Sequence, residues 1–277
     1  MGTGAITEYI DVAQLTLYAF WLFFFGLVWY LHRESKREGY PLYDSHDPNY
    51  EGGTLWGIPE PKTFQLPHGQ GTRTMPGEEA PQYELAAKQL VNTPGFPLEP
   101  TGNPMKDGVG PAAWANRPDA PDLTWDDGKP RIIPMRIATD WSVESRDPDP
   151  RGRPVFGVDG AHGGTVRDLW VDMSEPHVRY LEIEASVAFQ PVTATSADGD
   201  EPPPAPSKGR RVLMPLNFAR IKRNGDVHAK SVRAEHFADA PSTANPDYVT
   251  LQEEDKIMAY YGGGYLYALP ERTEPVL

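Results

Sequence analysis

Residues 12–31 read VAQLTLYAFWLFFFGLVWYL, twenty positions without a charged side chain. Glu8 and Asp11 precede the run, and Arg33, Lys36 and Arg37 follow it. Twenty residues rise about 30 Å as an α-helix, the thickness of the hydrocarbon layer of a membrane. A lone span must satisfy its own backbone hydrogen bonds in lipid, so it has to be helical. A cleaved signal would have a basic start, a shorter apolar run and small residues at a cleavage site. This stretch has acids before it and WYLHRESKR at its end, so it reads as a retained anchor. The basic collar places the following chain in the cytoplasm by the positive-inside tendency. Residues 1–11 are then expected on the periplasmic side.

Two small residues in the span, Ala19 and Gly26, are seven apart and so lie on one helix face, where a neighbouring helix could approach closely. Trp29 and Tyr30 suit the interfacial aromatic belt. Arg33, Lys36 and Arg37 form a collar that could meet anionic lipid headgroups.

The rest of the chain has a different composition. Of 277 residues, 30 are Pro and 26 are Gly, none is Cys, and the formal charge is −13. An acidic surface argues against nucleic acid as a partner, since phosphate binding needs basic side chains. The lack of cysteine removes disulfides, thiolate metal ligands and thiol nucleophiles together. Residues 32–130 show little sustained periodicity and are cut by prolines, as in NTPGFPLEPTGNPMKDGVGPAAW (92–114). With Trp56, Phe64, Phe96, Met105 and Trp114 among them, these residues are expected to lie extended along partner subunits and to be ordered by them. One short helix is expected around Glu84–Val91.

Residues 131–245 read differently. RIIPMRIA, PVFGVDG, GTVRDLWVDM, HVRYLEIEASVAF, RRVLMPLNFARI and DVHAKSV are short β-branched or aromatic runs separated by turn residues. They predict an antiparallel meander closing into a small barrel or sandwich. Asn224-Gly225 predicts a type I′ hairpin. The polar, proline-rich residues 196–209 are expected to form a surface loop. In 246–277, a helix is expected over Gln252–Tyr261, stopped by Gly262–Gly264.

No Walker loop, strand-borne GxGxxG, HExxH or GxSxG is present. The seven histidines show no metal-ligand spacing, so no metal site is expected. What remains is carboxylates in polar turns: Asp122, Asp126 and Asp127 in PDLTWDDGKP, then Asp172 and Glu175 in WVDMSEPHVRY with Arg179 four residues on. Acids in turns are mostly solvated. A string of them can pass protons where partial burial keeps some of them near neutral titration.

Together, FWLFFFGLVWYLHRESKREGYPL, PKTFQLPHGQGT, PTGNPMKDGVGPAAW, IIPMR, DLWVDMSEPHVRYLEIE, LMPLNF, VTLQEEDKI and YGGGYLYALP resemble the H-subunit family of purple-bacterial photosynthetic reaction centres, along almost the whole chain. The resemblance implies one membrane helix and a cytoplasmic, mainly-β body containing a PRC-type barrel. It implies an accessory subunit of a light-driven electron-transfer complex in the intracytoplasmic membrane, not an enzyme by itself. Such a subunit binds no cofactor directly. Its partners are the L and M subunits, which carry bacteriochlorophyll, bacteriopheophytin, quinones and non-haem iron; an antenna ring and a cytochrome subunit are expected in the same complex.

The family body shields the quinone sites and lines the proton path to the secondary quinone. By the WVDMSEPHVR match, Glu175 and then Asp172 carry that path, and Arg179 pairs near them. Asp122 matches an acid of the family loop. Some members have histidines just after it, where this chain has Trp125, Asp126, Asp127 and Gly128. Asp126 and Asp127 could collect protons there, with His177 sharing the task. The competing reading is a solitary membrane-tethered PRC-barrel adaptor for a soluble partner.

Overall fold

The structure is a computed structural model; it describes residues 10–40, 56–77, 84–91, 93, 96–186 and 209–272, with Gly4, Ile6, Thr7 and Leu42. The chain divides into two compact units, residues 1–81 and 82–277.

The first unit contains α1, Val12–Glu34. Asp11 caps it: its carboxylate accepts the Gln14 N–H at 2.7 Å, which explains an acid just before an apolar run. The helix continues three residues past the expected end, into polar residues that need no lipid. None of its residues is buried, and Leu22, Phe23 and Phe25 are exposed. A helix apolar all round with no protein cover matches a lipid environment. It is the one helix among the described residues long and apolar enough to span a membrane. A 3-10 turn, Ser35–Arg37, follows. Arg37 pairs with Glu34 at 2.8 Å and donates to the carbonyls of Glu60 (2.7 Å) and Met75 (3.0 Å). It thereby ties the helix end to the antiparallel hairpin of β1 (Lys62–Gln65) and β2 (Thr72–Met75).

The second unit begins with a small antiparallel pair, β3 (Ala87–Gln89) and β4 (Leu98–Pro100). The helix expected around Glu84–Val91 is therefore a strand. Three residues gain ladder bonds from β4, and their local helix propensity is too weak to compete. Then come α2 (Pro104–Asp107), capped by Asn103, and a 3-10 turn over Gly110–Ala112.

The main sheet is curled into a half barrel. Its strands are β5 (Ile132–Pro134), β6 (Pro154–Phe156), β7 (His162–Asp172), β8 (His177–Ala185), β9 (Arg211–Pro215), β10 (Ala219–Ile221) and β11 (Val227–Ala229). The order is β10-β11-β6-β7-β8-β9, with β5 also on β7. The ladders are antiparallel except that of β11 with β6, which is parallel, so the expected all-antiparallel meander is corrected at that one pair. The hairpin at Asn224-Gly225 forms, but its turn is not type I′. Gly225 alone has positive φ (+87°), its N–H bonds to the Lys222 carbonyl, and Lys222 pairs with Asp226. That is a type I turn followed by a left-handed glycine, the three-residue hairpin loop. Of the 196–209 insertion, all but Gly209 lies outside the described residues.

The last helix, α3, runs Leu251–Tyr267 and passes straight through the glycines expected to stop it. Their role is close approach. A Cβ on Gly263 would lie 2.5 Å from Ala112 Cβ, and one on Gly264 would lie 2.7 Å from Val232 and 2.9 Å from the Ser231 carbonyl. Packing against these neighbours offsets the weak helix propensity of glycine. Trp170, Leu181, Ile183 and Met214 of the sheet join Ile257 and Tyr261 of α3 in one buried core.

Part of the proline-rich stretch packs on the chain's own last helix. Within residues 96–130, Met105, Val109 and Ala112 are buried, and the chain's own helix supplies the surface they follow. Leu251 N–H bonds to the Ala120 carbonyl, Ala115 N–H to Asp255 (2.6 Å), and Arg117 N–H to Gln252 (2.9 Å).

Candidate functional site: a charged cluster at the end of the sheet

Asp172 is the last residue of β7, and register places Ile132 on one side of it and His177 on the other. The turn between β7 and β8 folds around its carboxylate: Oδ1 accepts the N–H groups of Ser174 (2.9 Å) and Glu175 (3.1 Å). Asp is favoured at such positions because its side chain caps the turn backbone. Two guanidinium groups then close on the same fully buried carboxylate. Arg131, just before β5, donates from Nε to Oδ1 at 2.9 Å, and Arg179 donates from Nε to Oδ2 at 3.0 Å.

Arg131 also reaches Asp122 (3.3 Å) and Glu175 (3.5 Å). Arg179 approaches Glu175 at 3.8 Å, as does His177. The Asp122 loop is held in place by Arg131 N–H on the Asp122 carbonyl and Met173 N–H on the Arg131 carbonyl, both 2.8 Å.

Three carboxylates thus face two guanidinium groups within one layer. Burial pushes the Asp172 carboxyl up, but the bonds from Arg131, the two turn N–H groups and Arg179 outweigh it and hold it at about 2. Asp172 is therefore ionised throughout the physiological range. Glu175 is 59% exposed, His177 44% and Asp122 42%, so these three meet water.

Ligand atoms of Asp172, Glu175 and His177 lie within 4.8 Å of one another. They do not suit a metal ion, because Asp172 already takes four N–H donors, two of them from cations, which would repel another.

Behind this layer lies a second contact. The buried Tyr180, next after Arg179 on β8, donates its O–H to Glu254 Oε2 of α3 at 2.7 Å. Burial raises the Glu254 carboxyl above its ordinary value; Tyr180, Arg179 and Arg131 pull it down, and Asp122 pushes it up.

Of the sequence-predicted residues, the fold gathers Asp122, Asp172, Glu175, His177 and Arg179. Asp127 belongs to a separate ring at the loop tip: Thr124 and Lys129 (2.9 Å) bind its carboxylate, and hydrogen bonds from both hold it at about 2. Asp126 is exposed on the same tip. In the collar, Arg37 is committed to Glu34 and backbone carbonyls. Lys36 is buried, with no hydrogen-bond partner for its Nζ among the described residues, and Arg33 lies over the Trp29 ring. Among the described residues, no heavy atom beyond the helix's own nearby backbone lies within 4 Å of a Cβ built on Gly26, so that face of α1 is open there.

Sequence reasoning missed Arg131, Tyr180 and Glu254. Arg131 meets Asp172 through β5–β7 register, and Glu254 arrives from a helix 74 residues beyond Tyr180. No local spacing carries either fact. It also missed a second buried pair of acids. Glu182 accepts from Arg136 (2.7 Å), Arg211 (2.8 Å) and Trp170 Nε1 (2.9 Å), and Asp168 accepts from Arg136 (3.3 Å) and the Leu169 N–H (2.8 Å).

One helix long and apolar enough to span a membrane, followed by a half-barrel β body with an ion-paired cluster at the sheet end, describes a membrane-tethered β protein. The family described as photosynthetic reaction centre, H-chain N-terminal region matches residues 4–137, and the PRC-barrel domain family matches residues 142–234. The chain belongs to the photosynthetic reaction-centre H-chain family. It is accordingly a membrane-anchored subunit of a reaction centre and an associate of the L and M subunits.

Proposed function

We propose that the β body caps the L and M subunits on the cytoplasmic side, keeps bulk water from their quinones and delivers protons to the secondary quinone. The N-terminus of α1 then faces the periplasm, and the membrane is the intracytoplasmic one. The pigments, quinones and non-haem iron reside in the partners. An antenna ring and a cytochrome subunit complete the complex. The open Ala19/Gly26 face of α1 packs on a neighbouring span, and Arg33, the collar residue that among the described residues is neither buried nor paired with an acid, meets anionic headgroups.

The observation that carries the proton role is the Asp122–Arg131–Asp172–Arg179–Glu175 cluster in a chain of this family. A quinone that takes two electrons must also take two protons, and a buried site receives them only through titratable groups and water. In the cluster, Asp172 acts as fixed negative charge that positions the two arginines, since it keeps no proton near neutral pH. Glu175, with its carboxylate at the water boundary and both guanidinium groups within 4 Å, exchanges protons with solvent. Asp122 and His177 flank it, and Asp126 and Asp127 on the nearby loop attract protons to the surface.

The test is Glu175→Gln in the native complex. Proton-coupled reduction of the secondary quinone by the second electron should slow about tenfold or more, a barrier rise of about 1.4 kcal/mol. Transfer of the first electron should stay nearly intact. Second-electron rates equal to the parent's at every pH would refute the role.

A further inference from the structure

We propose that Glu254 is a proton-holding carboxyl coupled to the Asp172 cluster, an inner store behind the solvent-facing Glu175. Glu254 lies in the first turns of α3, partly buried, and its Oε2 is fixed by the hydroxyl of a buried tyrosine at 2.7 Å. That tyrosine neighbours Arg179, the residue that clamps Asp172. The Asp122 loop is stitched to the start of the same helix by the Pro121–Thr250 bridge and by Leu251 N–H on the Ala120 carbonyl. Glu254 therefore sits where the Asp122 loop, β8 and α3 meet.

The groups that face it have opposing effects. Tyr180 and Arg179 from β8 and Arg131 from the start of β5 favour its ionised form, as does the N-terminal end of α3. Burial and the charge of Asp122 favour the protonated form, and the net effect raises the Glu254 carboxyl above its ordinary value. On its own helix, the neighbouring acids are turned elsewhere: Glu253 to the Thr250 N–H (2.9 Å) in a capping box, and Asp255 to the Ala115 N–H (2.6 Å).

A carboxyl so poised takes a proton when negative charge appears nearby and returns it when that charge is lost. The proton is relayed as hydronium along hydrogen-bonded water between the Glu254 carboxylate and the solvent-facing acids: the O–H bond formed at one carboxylate is matched by one broken at the neighbouring water. Tyr180 keeps its own proton, since burial and Glu254 push its hydroxyl well up.

The use of this store rests on the proton-delivery reading, whereas its titration does not, so the experiment reads titration. Infrared spectra of the native complex are recorded across pH for the parent, Glu254→Gln, Asp122→Asn and Arg179→Gln. The parent should show a carboxylic-acid C=O band whose midpoint lies above the ordinary glutamate range. That band should be absent in Glu254→Gln, shift to a lower midpoint in Asp122→Asn, and shift to a higher one in Arg179→Gln. Persistence of the band in Glu254→Gln, or a midpoint indifferent to both neighbours, overturns the proposal. If the band behaves as expected while Glu175→Gln leaves second-electron kinetics unchanged, the delivery reading fails and the coupled carboxyl stands.

Discussion

The most informative single change is Asp172→Asn. The asparagine keeps an oxygen for the Ser174 and Glu175 N–H groups but removes the charge that both Arg131 and Arg179 share. A carboxyl held at about 2 against an ordinary 3.8 contributes about 2 kcal/mol to the folded state. Stranding a cation beside a lost buried partner costs about 3–5 kcal/mol. Here the low end applies, because the guanidinium groups stay 24% and 38% exposed and keep Glu175 and Asp122. We expect a loss of about 3 kcal/mol at neutral pH.

The sign with pH follows from the depressed value. The stabilisation is complete above the unfolded-state value near 3.8 and is lost as pH falls through about 2. The gap between parent and variant should therefore narrow on acidification over that interval. Urea unfolding of the full chain in detergent, followed by near-ultraviolet circular dichroism at neutral and acid pH, measures both quantities. A loss below about 0.5 kcal/mol at neutral pH, or one that does not change with acidification, would refute the account of Asp172 as the structural anion of the cluster.

Two further outcomes test the packing. Gly263→Ala should destabilise the body by about 1–3 kcal/mol in the same unfolding assay, since its methyl meets Ala112 backbone and Cβ at 2.5–3.3 Å with no flexible side chain to yield. Glu182→Ala should cost about 3 kcal/mol or more, because it leaves the buried Trp170 N–H without its acceptor and removes the carboxylate that Arg136 and Arg211 share; recovery by Glu182→Gln of about half that loss would separate the indole bond from the charge.

The amino-acid order by itself determined the anchor, the strand runs from Arg131 onward and the family, because each is written in contiguous residues: an apolar run of bilayer length, alternating β-branched segments, long uncommon motifs. It also pointed to Asp122, Asp172, Glu175 and Arg179, through motif resemblance rather than any geometric rule. Only the tertiary structure decided how those acids differ. Asp172 is an ionised strut because strand register brings Arg131 and Arg179 onto it from either side, while Glu175, three residues away, meets water. Only the structure showed that Gly262–Gly264 let α3 pass close to Ala112 and Val232 instead of ending it, and that Glu254 stands behind the cluster. Titration and close packing depend on what approaches through space, and residues 41 and 74 positions apart carry no mark of their meeting in the chain.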